Sequence, residues 1–387
     1  ADTQSMPMIQ IEPIGSYTVE RLNKILTSEL AEFSDYKVEF PPAKYAVDLF
    51  RVLYPSVIPE RGNQPTTASG LIALPDFGDE AAPGKLPLVS YQHGTVYGAN
   101  EVPSDPEQSM ETRLMLAQFA GQGYALIGAD YFGRGQSPET DSYLVKESTQ
   151  QACFDMLMAA RAALPELGVE TGPFFLSGWS QGGWATMVFL EKLEGLGMPV
   201  TAAAIASAPL DLYAIINRWM HAPAAIDAIY LPTLLAMQSN AYERYYRLPG
   251  LANTIIRPEY QEASLQLYLG KLSMEEMEKK LPAKMSELLT DEFMASSSAG
   301  SSRYWRIVQD NHGYRWRMVT PLRTYYGGSD EVIPPFIAQL PVEYQKLMGG
   351  APVEAVASGE GANHRGNFVY AVADQKKWFD QEFLDKE

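Results

Sequence analysis

Residues 178–182 read Gly-Trp-Ser-Gln-Gly, where a short apolar run gives way to an amphipathic one. A G-x-S-x-G pattern between a strand and a helix predicts a tight, strained turn that exposes its middle side chain, here Ser180. Any residue larger than glycine at 178 or 182 would crowd that turn. The alternative is that small residues serve packing and the serine is incidental. Because a serine hydroxyl alone is a poor nucleophile, the choice depends on partners elsewhere in the chain.

Short apolar strands alternate with helical segments from Lys85 onward. The predicted strands are LPLVSYQ, YALIGAD, PFFLSGW, VTAAAIAS, LRTYYGG and PVEAVAS, and the helices lie near 106–121, 146–167, 181–193, 335–348 and 366–384. This order predicts an α/β fold, a mostly parallel central sheet flanked by helices. Before it, AVDLFRVLY and TASGLIALP alternate like antiparallel strands, and residues 1–40 form an N-terminal extension with a predicted helix at 18–33.

The stretch 212–311 interrupts this alternation. It contains no convincing strand but several helical patterns, among them SMEEMEKKL, where Ser273 and Glu276 form a capping-box pair. We therefore expect a helical cap inserted into a core made of residues 1–211 and 312–387.

Composition and motifs argue against several partners. The net charge of −17, from 30 Lys+Arg and 47 Asp+Glu, would repel a phosphate backbone, so no nucleic-acid partner is expected. No apolar run reaches the ~20 residues of a membrane span, while contact with a lipid interface stays open. The sequence predicts no metal site and no cofactor, since His and Cys are not clustered and FGRGQS at 132–137 lacks the Walker lysine. It does not determine the oligomeric state.

The first residue is alanine and the first methionine is Met6. A removed secretory signal would leave such a start, as would trimming of an expressed chain, and we expect a secreted or periplasmic protein. The single Cys153 lies in the apolar stretch ACFDMLMAA, cannot form an internal disulfide, and is expected to be inert core.

Candidate partners of Ser180 follow other predicted strands. Asp330 lies in GGSDEVIPP, His364 in GEGANHRGNF, and a QHGT segment follows the strand that ends at Gln92. The carboxyl ends of parallel strands gather at one edge of a sheet, so these groups are expected to meet there. The alternative acid is Asp211, after the strand VTAAAIAS.

With a serine, an acid and a histidine in that order, the sequence resembles the α/β-hydrolase superfamily over Lys85 to Leu384, apart from the insertion. Within it, the chain is most similar to esterases and lipases related to secretory lipases, which carry a helical cap before the acid. The form GWSxGG is also similar to the prolyl-peptidase branch.

The resemblance implies a catalytic triad of Ser180, Asp330 and His364. It also implies an oxyanion hole made by two backbone N–H groups. One belongs to Gln181, after the nucleophile, and the other to the HGT segment, where Thr95 is preferred over Gly94.

The predicted function is hydrolysis of carboxylic esters through an acyl-enzyme. Aromatic and methionine side chains in the insertion favour medium-chain or aromatic acyl groups on a small-molecule substrate. Candidate substrate contacts are His93, Trp179, Trp219 and Tyr230. Loop shaping by His93 and packing by Trp179 are the alternatives. A prolyl-peptidase-like amide hydrolase, an acyltransferase and a non-catalytic binding protein on the same fold are competing hypotheses.

Overall fold

A computed structural model describes residues 8–81, 83–297 and 302–384. Met6 and the expectation of a processed start therefore lie outside the described residues. No helix within the described ranges combines the length and the apolar character needed to cross a bilayer.

One mixed sheet organises the described part of the chain. Its strands are β1 (Gln10–Tyr17), β2 (Ala46–Ile58), β3 (Gln64–Asp76), β4 (Leu86–Gln92), β5 (Ala125–Ala129), β6 (Thr171–Trp179), β7 (Ala202–Ala206), β8 (Leu322–Tyr326) and β9 (Val353–Ala357). The spatial order is β1-β2-β3-β5-β4-β6-β7-β8-β9. The strands β1, β2 and β3 pair antiparallel, β3 pairs antiparallel with β5, and the remaining pairs are parallel. The predicted mostly parallel sheet is confirmed.

The central strands are buried on both faces. Leu126 and Phe175 face one hydrophobic core, whereas the next residues along, Ile127 and Leu176, face the other. Side chains of a strand alternate between faces, so a strand covered on both sides is apolar throughout. This explains why β5 and β7 read as uninterrupted apolar runs.

Helices cover both faces of the sheet. They are α1 (Val19–Lys24), α2 (Leu30–Phe33), α3 (Met110–Gln118), α4 (Lys146–Glu166), α5 (Gln181–Gly195), α6 (Leu212–His221), α7 (Leu231–Tyr245), α8 (Leu251–Ile255), α9 (Pro258–Tyr268), α10 (Met274–Lys280), α11 (Met285–Leu288), α12 (Asp291–Ser296), α13 (Arg303–Asp310), α14 (Leu340–Met348) and α15 (His364–Phe379). Helices α4 and α5 pack on one face, and α1, α3 and α15 pack on the other. Cys153 is buried within α4, in the position expected of a core residue.

Helices α6 to α13 occupy the predicted insertion between β7 and β8. Within its described residues, the β pairing is a single isolated bridge between Ile256 and Leu289. Helix α10 begins with the predicted capping box of Ser273 and Glu276. The buried side chains of α6, α7 and α13 belong to the same hydrophobic core as those of α4 and α5. The domain limits at 212 and 311 stay a prediction.

Strand β1 was not predicted. Its sequence, QIEPIGSY, contains Pro13 and Gly15, which interrupt the alternation that marks a strand, and the pairing register shifts between these two residues. Proline and bulges are tolerated at a sheet edge because one side of the strand makes no ladder hydrogen bonds. The predicted helix at 18–33 is present, with a π-helical turn at Ile25–Glu29 joining α1 to α2.

Candidate active site

Ser180 lies at the turn from β6 into α5. Its backbone has φ 57° and ψ −127°, a conformation that is strained for a residue with a Cβ. A Cβ on Gly178 would lie 2.0 Å from the carbonyl oxygen of Gly182, and one on Gly182 would lie 2.0 Å from that of Gln92. The predicted need for glycine at both positions is confirmed by these distances.

The structure brings His364 and Asp330 to Ser180. His364 is the first residue of α15, and its Nε2 lies 3.0 Å from Ser180 Oγ. Its Nδ1 lies 3.0 and 3.2 Å from the two carboxylate oxygens of Asp330, which follows β8. All three residues are buried. This arrangement allows the imidazole to take the hydroxyl proton while the carboxylate holds its tautomer.

Asp330 is stabilised as a carboxylate. Ser207 Oγ donates to it at 2.6 Å, and the backbone N–H groups of Val332 and Ile333 donate at 2.9 and 3.0 Å. Burial by itself would raise the pKa of Asp330, but His364, Ser207 and the Ile333 N–H outweigh it and lower the pKa below its usual value. The carboxylate is therefore ionised at neutral pH.

The alternative acid, Asp211, lies in a different environment. Its carboxylate caps α6 by accepting from the Ala214 N–H at 3.0 Å, and it accepts from the Tyr314 hydroxyl at 2.7 Å. Glu331, next to Asp330, accepts from the backbone N–H of His364 at 3.0 Å. Among the described residues, the acid that contacts the His364 ring is Asp330.

Two backbone N–H groups beside Ser180 have no hydrogen-bond partner among the described contacts, those of Gln181 and Thr95. Gln181 begins α5, and the first N–H groups of a helix lack intrahelical partners. By contrast, the Gly94 N–H donates to both oxygens of Glu111, each at 3.0 Å. The Gly94 N–H is already occupied, which favours Thr95 over Gly94 as the second donor, and the oxyanion hole itself stays a prediction.

Two pockets that share lining residues adjoin Ser180. An inner cavity of about 30 Å³ is walled mainly by apolar side chains of α6 and α7, among them Ile215, Ile216, Leu234 and Leu235. A wider mouth of about 290 Å³ is lined by Tyr97, Trp179, Tyr230, Met274, Glu331 and Arg365. Thr95, Ser180, Leu234 and Val332 border both spaces.

The four predicted substrate contacts fall in different places. Trp219 borders the inner cavity and donates from Nε1 to the Val332 carbonyl at 3.1 Å. Trp179 and Tyr230 line the mouth. His93 borders neither space, since it is 1% exposed and stacks on Tyr131 with ring centroids 4.0 Å apart. A substrate contact by His93 stays a prediction, whereas its burial and its stacking on Tyr131 favour the alternative of loop shaping.

Sequence reasoning missed Ser207 and Glu111. Ser207 has φ 48° and directly follows β7, so a polar residue at a predicted strand end was the available signal. Glu111 is a buried acid on α3, beside the buried apolar side chains of Leu114 and Met115. An acid on a buried helix face indicates a specific partner. Within the described ranges, no group of three or more His, Cys, Asp or Glu side chains is placed to hold a metal ion.

The parallel strands of this sheet place a strained serine after β6, an acid after β8 and a histidine after β9. This is the arrangement of the α/β-hydrolase fold. No family model matches the chain, and no curated protein matches it in sequence. Solved structures do match it.

One solved structure is a Legionella pneumophila protein given provisionally as a hydrolase, with 23% identity, a TM-score of 0.86 and 98% of each chain covered. Another is the rice cell wall degrading esterase LipA from Xanthomonas oryzae, with 24% identity, a TM-score of 0.79, and 97% of this chain and 98% of that chain covered. Candida antarctica lipase A in its closed state has 14% identity and a TM-score of 0.61, covering 92% of this chain and 76% of its own. At these identities, the similarity establishes the fold.

Proposed function

We propose that the protein is a serine hydrolase that cleaves carboxylic esters through an acyl-enzyme intermediate. The observation that carries this proposal is the unbroken hydrogen-bonded series from Ser180 Oγ through His364 to Asp330, beside two unoccupied N–H groups. Two of the solved structures of the same fold are named as an esterase and a lipase, which supports an ester as the substrate class.

The reaction follows from these positions. Ser180 Oγ attacks the ester carbonyl carbon while His364 Nε2 accepts the hydroxyl proton. The N–H groups of Gln181 and Thr95 donate to the resulting oxyanion, and the alcohol departs with the proton that His364 returns. Water then attacks the acyl-enzyme by the same route, which releases the carboxylic acid and restores the Ser180 hydroxyl. Asp330 stays ionised throughout and stabilises the imidazolium.

The two spaces suggest how an ester would be oriented. We assign the acyl group, of medium length or aromatic, to the inner cavity because its walls are apolar. The inner cavity is narrow, about 30 Å³, so we expect side chains of α6 and α7 to move outward as such a group enters. The alcohol is assigned to the mouth, where Glu331 and Arg365 add charge to an aromatic lining.

A fluorophosphonate label followed by peptide mass spectrometry tests the nucleophile. We expect the label on Ser180 and no labelling of the Ser180→Ala variant, whose hydrolysis rate should fall by on the order of 10⁶. A label on another residue would overturn the mechanism.

A panel of p-nitrophenyl esters, graded by acyl length and including benzoate, tests the substrate class. We expect a maximum in kcat/KM at medium-chain or aromatic acyl groups and little cleavage of aminoacyl nitroanilides. A flat response across the esters would refute the assignment of the acyl group to the inner cavity. Cleavage of the anilides alone would make the protein an amide hydrolase.

A further inference from the structure

We propose that Glu111 is a positioning residue which, together with His93, fixes the peptide group that presents the Thr95 N–H to the oxyanion. This inference rests on the proposed function. It concerns the two successive peptide units between His93 and Thr95, which follow β4.

The first peptide unit is held at both ends. Its carbonyl, on His93, accepts from the Tyr131 hydroxyl at 2.8 Å. Its N–H, on Gly94, donates to both oxygens of Glu111 at 3.0 Å. Since the unit is planar, two partners on opposite sides fix its rotation about the chain direction.

The second peptide unit is held at its carbonyl. We place the single hydrogen of the neutral His93 ring on Nδ1, which then donates to the Gly94 oxygen at 2.7 Å, while Nε2 lies 2.8 Å from the Asp130 carbonyl oxygen. In a planar trans peptide, the C=O and N–H point in opposite directions. The contact with His93 therefore directs the Thr95 N–H away from the buried imidazole. Of the four polar groups on the two units, this N–H is the one without a partner among the described contacts.

Gly94 links Glu111 to the nucleophile turn. A Cβ at Gly94 would lie 3.0 Å from the carbonyl oxygen of Trp179, the residue before Ser180, and 3.5 Å from Glu111 Oε2. The loop is thus packed between α3 and the end of β6. A change in the Glu111 contact would move the Thr95 N–H relative to Ser180, and small errors in the position of a donor are costly in the transition state.

A carboxyl is a costly choice for a purely structural contact here. Burial raises the pKa of Glu111 to about 8, so above neutral pH the fold retains a buried negative charge that an apolar side chain would not bring. The titratable groups that face it are Tyr91 on β4 and Tyr131 after β5, and burial raises the pKa of both tyrosines well above the usual value. Around neutral pH Glu111 is uncharged and adds no negative charge behind the oxyanion.

Two variants of α3 separate positioning from packing. Glu111→Leu removes the acceptor for the Gly94 N–H at nearly constant volume. Gln118→Leu makes a similar change seven residues along the same helix, at a side chain that is 2% exposed and whose Oε1 has no partner in the described structure. The assay compares a p-nitrophenyl ester with its thionoester, because sulfur is a weak hydrogen-bond acceptor and the rate ratio reports on the oxyanion donors.

We expect Glu111→Leu to lower kcat for the ester about 10- to 100-fold with little change in KM, and to reduce the ester-to-thionoester ratio. Gln118→Leu should leave both quantities unchanged. Glu111→Gln, which restores an acceptor, should recover much of the lost kcat. An unchanged kcat and ratio in a folded Glu111→Leu variant would overturn the inference.

If Glu111→Leu does not fold, the pH profile of Glu111→Gln decides. The wild-type kcat should decline as pH rises through about 8, where Glu111 ionises, and the Gln variant should lack that decline. Identical profiles would refute ionisation of Glu111 near pH 8, and a folded Glu111→Ala variant that keeps the wild-type kcat and ester-to-thionoester ratio would overturn the positioning role. The proposed function fails separately, if the wild-type protein hydrolyses no ester and takes no label at Ser180.

Discussion

At the scale of single residues, Asp330 is the proposed catalytic group with the most complete set of contacts. Its carboxylate accepts from the His364 ring, from Ser207 and from the N–H groups of Val332 and Ile333. An asparagine would present an NH₂ group where one of these donors now points. That NH₂ group could also donate to an unprotonated Nδ1, which would stabilise the wrong imidazole tautomer, with the hydrogen on Nε2 instead of Nδ1.

Asp330→Asn is therefore expected to lower kcat by about 10⁴ with the fold retained, as the equivalent change does in serine-protease triads. Asp211→Asn is the matched control, because that acid caps α6 and asparagine is an equally good capping residue. Initial rates on one p-nitrophenyl ester, with circular dichroism to verify folding, check both. Loss of activity in the Asp211 variant alone would show that the acid has been misassigned.

At the scale of elements, the junction of β6 and α5 places Ser180, the proposed nucleophile. The helix lies so close to the end of β4 that Gly182 leaves no room for a side chain against the Gln92 carbonyl. Gly195, at the other end of the same helix, has open space where its Cβ would be. One helix thus contains a glycine required by packing and one that packing does not require.

This contrast predicts opposite effects of the same substitution. Gly182→Ala should destabilise the protein by more than about 3 kcal/mol, since backbone atoms on both sides must shift, and should abolish esterase activity. Gly195→Ala should stabilise it by up to about 1 kcal/mol, because alanine is the better helix former. Urea denaturation of both variants measures the difference. Equal effects would mean that the junction is less tightly packed than these distances indicate.

The sequence predicted some of the strands and site residues and missed others. The strands β4 to β7 were predicted because buried parallel strands read as apolar runs, and β8 and β9 because they continue the alternation of strand and helix. Ser180, Asp330 and His364 were predicted because each follows one of these strands. Strand β1 was missed because an edge strand tolerates the proline and glycine that hide its pattern. The contacts of Glu111 and Ser207 depend on which elements become neighbours in space, which no local pattern records.

At the scale of the whole molecule, the helical insertion and the sheet share one hydrophobic core. Trp219 and Tyr242 of the insertion belong to the same buried cluster as Trp184 of α5. The inner cavity lies within this shared core, so a substrate that widens it must displace side chains that also stabilise the fold. We therefore expect substrate binding and stability to be coupled.

The stability of the whole protein should fall between pH 4.5 and about 8 because of Glu111. Its pKa is about 8 when folded, against an ordinary value of 4.5, so between these values the folded chain holds a proton that the unfolded chain has lost. The stabilisation is complete below 4.5 and is lost as pH rises through about 8. Burial lowers the pKa of His93 from 6.5 to about 4. Its effect on stability has the opposite sign, since stability rises with pH, and it is confined to pH values below 6.5.

Comparing wild type with Glu111→Gln at pH 6.5 and pH 8.5 isolates this group, because every other titration is common to both proteins. Between these values, the wild-type free energy of unfolding should drop by about 2 kcal/mol more than that of the variant. Urea denaturation at the two pH values measures it. Parallel changes in the two proteins would mean that Glu111 ionises near its ordinary pKa, which would also remove the electrostatic reason for expecting the rate to decline above pH 8.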